Sequence, residues 1–183
     1  MGNSAIPFRN PWLAAALLLI GTAGLPARAA APAASAPTPS TQAGPAKLPE
    51  FALKDLEGKE WTSAQFKGQA LLVDFWATWC NTCKETIPKL AELNDKYKGK
   101  GLTIIGISVD KGSAEKITKA AKRLGINYLV LLDQENTLGK PFGFSGIPSL
   151  YIFDKSGALK TAMPGYDPEQ EEALAAAADK AAK

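Results

Sequence analysis

The sequence has no histidine and very little cysteine. Among its 183 residues Cys80 and Cys83 are the only cysteines, and they lie within one four-residue window. Haem attachment requires a histidine directly after the second cysteine, where this chain has Lys84. A structural zinc site needs four ligands, and only carboxylates could complete this pair, which is rare. The two absences argue against a haem-attachment site and against structural zinc, and we expect neither a metal nor another cofactor.

The scarcity of cysteine also argues against a fold stapled by disulfides. Small secreted domains of that kind use more than one bridge. Here a single bridge could form, and its ring is so small that it would hardly constrain the unfolded chain. Stability therefore does not explain the pair well, although a structural disulfide without a catalytic role is the conservative alternative.

Neither strong charge nor a long hydrophobic run is present. The formal net charge is +3, and it would fall to +1 if Arg9 and Arg28 were removed with a leader. No basic stripe supports a nucleic-acid partner. The apolar stretch from Pro11 to Leu25 is shorter than the ~20 residues that span a bilayer.

That apolar stretch fits an export signal. It follows Arg9 and precedes the small residues of "ARA" at Ala27–Ala29. Because no cysteine follows it, attachment as a lipoprotein is excluded. We interpret residues 1–29 as a secretory signal peptide, with an uncleaved signal anchor as the alternative. Residues 30–47, rich in Ala and Pro, are expected to form a linker, and residues 48–183 a folded domain in the periplasm.

The folded part alternates strand and helix patterns. This order predicts an α/β domain with a central mixed β-sheet, flanking helices and an N-terminal β-hairpin. The first half is predicted to contain a hairpin of "FALKDL" and "KEWTSAQF", a buried strand Ala70–Ala77, and a helix from Cys80 to Lys98 with Pro88 inside. A strand Gly101–Asp110, a helix ending at Gly125 and a strand in "NYLVLLD" are expected next. The chain should end with a hairpin of "PSLYIFD" and "ALKTAMPGY" and a last helix with Asp167 as N-cap and Pro168 at its first position.

The cysteine pair is expected at the start of a helix. Cys80 and Cys83 would then lie on one face with their Cα atoms about 5–6 Å apart, within disulfide range. Unpaired N–H groups at a helix N-terminus lower the pKa of a cysteine there from about 8.5 toward 7, which yields a nucleophilic thiolate. A second thiol one turn later can attack the resulting mixed disulfide. This arrangement suits dithiol–disulfide exchange.

Asp74 is the second candidate for chemistry. It is the only ionisable residue in a strand that is otherwise apolar on both faces. Burial should raise the pKa of its carboxyl group toward the range of a usable proton acceptor. The alternative is an aspartate tolerated at a solvated end of the sheet.

The segment "VDFWATWCNTCKETIPKL" resembles the active-site segment of the thioredoxin superfamily. The hairpin and the insertion between Gly101 and Asp133 resemble its exported TlpA/ResA/DsbE-like branch. The resemblance implies a thioredoxin-like fold in which Cys80 is the nucleophile and Cys83 the buried resolving thiol. It also implies that Trp79 packs beside the motif and that Ile147-Pro148 is a cis peptide bond facing the disulfide.

Further implications of the resemblance concern proton transfer and substrates. Asp74 matches the buried acid that serves the resolving cysteine. The chain departs from the pattern at Thr86, where exported relatives often have Glu, and at Asn81-Thr82, where a proline is usual. The neighbouring Glu85 should point away from the motif. We expect an exported, monomeric reductase of oxidised cysteine-containing proteins, re-reduced by a membrane electron donor.

Two other functions stay open at this point. A thiol peroxidase is suggested by an outline that also resembles peroxiredoxins, but the Cys-x-x-Cys pair argues against it. A metallochaperone or another non-catalytic binding module is the second alternative. Against it, this chain offers no histidine ligands, and such a module would have no need for Asp74. The substrate itself is not specified; an apocytochrome awaiting haem, a copper-site protein or general oxidised cysteines all fit.

Overall fold

The structure, a computed structural model, describes residues 44–183. It contains seven β-strands and four α-helices within that range. The strands are β1 (Ala52–Asp55), β2 (Glu60–Thr62), β3 (Ala70–Trp76), β4 (Leu102–Ser108), β5 (Leu129–Leu132), β6 (Ser149–Phe153) and β7 (Leu159–Pro164). The helices are α1 (Asn81–Tyr97), α2 (Ala114–Arg123), α3 (Gly139–Phe142) and α4 (Glu171–Ala182).

The strands form one mixed sheet in the order β2-β1-β5-β4-β3-β6-β7. Strand β3 pairs in parallel with β4 and antiparallel with β6, and β4 pairs in parallel with β5. Every residue of β3 is buried, as its apolar sequence predicts for a strand covered on both sides. The predicted thioredoxin-like fold with an N-terminal hairpin is confirmed.

The two faces of β3 pack against different layers. Leu72 and Trp76 belong to hydrophobic clusters that include residues of α1, α2 and α4. Val73 and Phe75 belong to the cluster on the other face, which contains Phe142 of α3. Because side chains alternate along a strand, Asp74 lies on the face that α1 covers.

Two predicted boundaries were wrong, and one helix was not predicted. The segment "KEWTSAQF" is a strand only over β2, and it continues as a 3-10 turn at Ser63–Phe66. The last helix begins at Glu171, because Asp167 accepts a bond from the Glu169 N–H and starts a 3-10 turn, Pro168–Gln170, instead of capping α4. The short helix α3 was not predicted.

The domain begins before residue 48. Lys47 pairs with Ala158 in an isolated antiparallel β-bridge, and the Leu48 N–H donates to the Gly157 carbonyl at 2.8 Å. The end of the predicted linker therefore contacts the β6–β7 hairpin. The predicted signal peptide and the rest of the linker lie outside the described residues. Within residues 44–183, no helix has the length and apolar character needed to cross a membrane.

Candidate active site

The two cysteines lie where β3 passes into α1. The chain leaves the buried strand at Trp76, turns through Ala77–Trp79 and enters the helix, for which Cys80 is the N-cap. Pro88 lies inside α1, as predicted, at an exposed position. The predicted location of the pair at a helix N-terminus is thus confirmed.

Cys80 and Cys83 are joined by a disulfide, with their Cα atoms 5.3 Å apart. The backbone N–H of Cys83 donates to Cys80 Sγ at 3.1 Å. Cys80 retains 5% of its surface exposed, whereas Cys83 is fully buried. The first turn of α1 therefore directs a donor at the sulfur of the more accessible cysteine, the arrangement that stabilises a thiolate there.

Ile147 and Trp79 flank the disulfide. The Ile147-Pro148 peptide bond is cis, as the resemblance implied. The carbonyl oxygen of Ile147 lies 3.9 Å from Cys80 Sγ. Trp79 is 66% exposed, and no other large apolar side chain is as open among the described residues. A groove of about 460 Å³ lies between the two, bordered also by Lys111, Asn136, Phe144 and Gly146.

Asp74 lies deeper, in the middle of β3, beside Gly106 of β4 and Leu150 of β6. Its side chain is fully buried, and neither carboxyl oxygen has a hydrogen-bond partner among the described residues. This burial raises the pKa of Asp74 to about 8, in the direction predicted from the sequence. Cys83 is buried against the same face of the sheet, in a cluster that includes Trp76.

The departures from the family pattern have local explanations. Thr86 is buried and donates its hydroxyl to the Thr82 carbonyl at 3.1 Å, so it uses its polar group within α1. Glu85 is exposed, as predicted from its helix position. The Asn81 side chain accepts from Lys84 Nζ at 2.8 Å. None of these residues places a carboxylate beside the buried cysteine.

Asp110, which follows β4, was not predicted from the sequence. Its carboxylate accepts bonds from the Thr78 N–H at 2.8 Å, the Thr78 hydroxyl at 2.7 Å and the Ser108 hydroxyl at 3.0 Å. These bonds fix the loop that leads to Cys80 against the end of β4. A signal was available, because parallel neighbouring strands bring the residues after their carboxyl ends together.

Within residues 44–183, no group of three or more cysteine, aspartate or glutamate side chains is close enough to hold a metal ion. The arrangement of groups around Cys80 is that of a thiol site: one accessible sulfur, a second sulfur one turn later and a buried acid on the same face of the sheet.

Comparisons with known proteins agree with this geometry. The sequence pattern of the AhpC/TSA family matches residues 45–162. A thiol-disulfide oxidoreductase ResA of Bacillus thuringiensis subsp. konkukian is 30% identical over 125 residues, covering 68% of this chain and 72% of the relative. ResA of Geobacillus thermodenitrificans is 29% identical over 117 residues, covering 64% and 67%.

A solved structure extends the agreement to the fold. A thiol:disulfide interchange protein of the thioredoxin family from Chlorobium tepidum superimposes with a TM-score of 0.66 and 28% sequence identity. The match covers 76% of this chain and 97% of that one. The chain therefore belongs to the AhpC/TSA family of thioredoxin-like proteins, and within it to the ResA-like thiol–disulfide oxidoreductases.

Proposed function

We propose that the protein is an exported reductase of protein disulfides that acts through the Cys80–Cys83 couple. One observation carries the proposal: Cys80 Sγ is both the accessible sulfur and the acceptor of an N–H from the first turn of α1, at 3.1 Å. A thiolate at Cys80 is stabilised by that contact and by the helix N-terminus. Cys80 is accordingly the nucleophile.

The chemistry takes two steps. Thiolate Cys80 attacks one sulfur of a substrate disulfide, and the other substrate sulfur leaves as a thiolate. The Cys83 thiol then gives its proton to Asp74, and the resulting thiolate attacks Cys80 Sγ, which releases the second substrate sulfur and closes the Cys80–Cys83 disulfide. Two electrons pass from the protein to the substrate, and no cofactor takes part.

Substrate contacts are assigned to Trp79, Ile147 and Pro148. An extended peptide can lie in the groove between Trp79 and Ile147, with a sulfur in reach of Cys80. The exposed indole supplies apolar contact area at little conformational cost. We assign the protein to the periplasm as a monomer, with oxidised cysteine-containing proteins such as apocytochromes as substrates. A membrane electron donor returns it to the reduced form.

Trapping of mixed disulfides tests the roles of the two cysteines. Cys83→Ser should accumulate a mixed disulfide between Cys80 and a substrate, because no other thiol in the chain can resolve it. Cys80→Ser should accumulate little or none. The measurement is the yield of adduct with a defined peptide disulfide, separated without reductant. Equal trapping by the two variants would contradict the assignment of Cys80.

The direction of the reaction is tested by the reduction potential against glutathione. A value near that of thioredoxin, about −270 mV, supports a reductase, and one near that of DsbA, about −120 mV, would make the protein an oxidant. Asp74 favours the first outcome, because a proton acceptor that serves Cys83 assists the reduced form as it reacts.

A further inference from the structure

Four buried polar atoms lie around the middle of the sheet without a hydrogen-bond partner among the described residues. They are both carboxyl oxygens of Asp74, the indole nitrogen Nε1 of Trp76 and the hydroxyl of Tyr128. Two are acceptors and two can donate. Each buried polar group left unpaired carries an energetic cost, so a cluster of them in one place calls for an explanation.

Gly106 brings these groups together. It is the register partner of Asp74 on the parallel strand β4. A Cβ atom at Gly106 would lie 3.0 Å from Tyr128 Cε2 and 3.1 Å from Trp76 Nε1. The phenol ring and the indole N–H therefore occupy the space that a side chain beside Asp74 would fill, which is possible because glycine allows this close approach.

No charged side chain competes for Asp74 from the packed elements. The buried residues of α1 are Cys83, Thr86, Ile87, Leu90 and Tyr97. Those of α2 and α4 are aliphatic. Leu150 stands beside Asp74 on β6, and β4 contributes Gly106. The titratable groups on this side are thus the Cys83 thiol and the phenols of Tyr97, at the far end of α1, Tyr128 and Tyr166.

Tyr128 keeps its proton. Burial, and to a smaller extent the negative charge of Asp74, raises the pKa of the Tyr128 hydroxyl well above its usual value. It is therefore a permanent donor, as is the indole of Trp76.

We propose that Tyr128 and Trp76 are positioning residues for Asp74, and that their O–H and N–H groups solvate its carboxylate when it serves the resolving cysteine. This inference rests on the proposed function. Asp74 can take the Cys83 proton only as a carboxylate, and a carboxylate in an apolar interior needs donors to exist. Once the proton has arrived, the neutral acid no longer needs these donors. Tyr128 and Trp76 thereby set the fraction of Asp74 ready to accept.

Tyr128→Phe tests the inference, with Tyr166→Phe as its matched control. The Tyr166 hydroxyl is likewise buried and unpartnered, but its pKa responds to Glu171 and Asp167 in addition to burial, not to Asp74. The first readout is the titration of the Asp74 carboxyl by carbon NMR in the disulfide form, where Cys83 cannot titrate. Tyr128→Phe should raise the pKa of Asp74 by about one unit, and Tyr166→Phe should leave it unchanged.

The second readout is the pH profile of substrate release from the mixed disulfide. Tyr128→Phe should move this profile to higher pH and slow release at pH 7 by about three- to tenfold, because fewer Asp74 groups are ionised. In an Asp74→Asn background the same change should have no effect on release. Trp76→Phe provides a second variant, expected to shift the carboxyl titration in the same direction.

The two readouts separate the two levels of argument. An Asp74 titration that Tyr128→Phe and Trp76→Phe leave unchanged would overturn the inference. So would a shift of the same size in Tyr166→Phe. If Asp74→Asn released substrate at the normal rate, the proposed role of Asp74 would fall, while the carboxyl titration would still decide whether Tyr128 and Trp76 stabilise its charge.

Discussion

Two buried aspartates, one within β3 and one just after β4, have opposite surroundings. Asp110, at the end of β4, is 5% exposed and accepts three hydrogen bonds within 3.0 Å. Asp74, in the middle of β3, is fully buried and accepts none from the described residues. The carboxylate of Asp110 is occupied in holding a loop. That of Asp74 has no structural bond to lose when its protonation changes.

The contrast indicates that the two carboxyl groups have different tasks, one in holding the backbone near Cys80 and the other in proton transfer. The Thr78–Asp110 bonds hold the segment before Cys80, so the proposed nucleophile is positioned before a substrate arrives. Asp74 pays a desolvation cost instead, and the raised pKa is its result. We therefore expect changes at Asp110 to act on stability and geometry, and changes at Asp74 to act on pH dependence and turnover.

The largest expected effect is on the pH dependence of stability. The folded pKa of Asp74, about 8, lies above its ordinary value of 3.8, so the folded state holds a proton that the unfolded state has lost between these pH values. The free energy of unfolding of the disulfide form should fall as pH rises from 4 to 8, by several kcal/mol in the limit of full burial.

Asp74→Asn should remove that slope and raise the melting temperature at pH 8, because a neutral amide replaces the buried acid. It should also slow release of the mixed disulfide while leaving its formation by Cys80 nearly unchanged. Urea unfolding of both proteins at several pH values provides the measurement. A variant with the same slope as the parent, or with a clear loss of stability at pH 8, would make Asp74 a structural residue.

A smaller effect on stability is expected at Asp110, where substitution should destabilise the protein, whereas Asp74→Asn should stabilise it at pH 8. Asp110→Ala leaves the Thr78 N–H and both hydroxyls without their acceptor and should lower the free energy of unfolding by about 2 kcal/mol. Because the loop before Cys80 loosens, attack by Cys80 should slow as well. The exposed Glu135→Ala serves as control, with an expected change near zero. An Asp110 variant as stable as this control would show that the three bonds contribute little.

The smallest effect on stability is expected at Trp79, which makes no hydrogen bond with Asp74 or Asp110. Its side chain is 66% exposed, so Trp79→Ala should change the melting temperature very little. We expect a higher KM for a peptide disulfide, with less change in kcat, because substrate contact area is lost in the groove. Unchanged KM would exclude Trp79 from substrate binding.

Sequence patterns predicted much of this molecule because their causes are local. The apolar run of β3 predicted a central strand, and the Cys80–Cys83 spacing at a helix start predicted a disulfide-competent pair. Both were confirmed. The short helix α3 and the true start of α4 were not predicted. A 3-10 turn and a one-turn helix leave little periodicity to detect.

The sequence by itself determined the kind of chemistry, since the chain's two cysteines stand at the start of a helix and one acid interrupts an apolar strand. Only the tertiary structure decided what surrounds those groups. Asp110 reaches Thr78 across 32 positions of sequence, and Tyr128 and Trp76 meet beside Gly106. Such contacts follow from the register of β3 against β4 and from side-chain directions in the packed interior. Neither is encoded in any short stretch of sequence, because each depends on where distant strands come to pair.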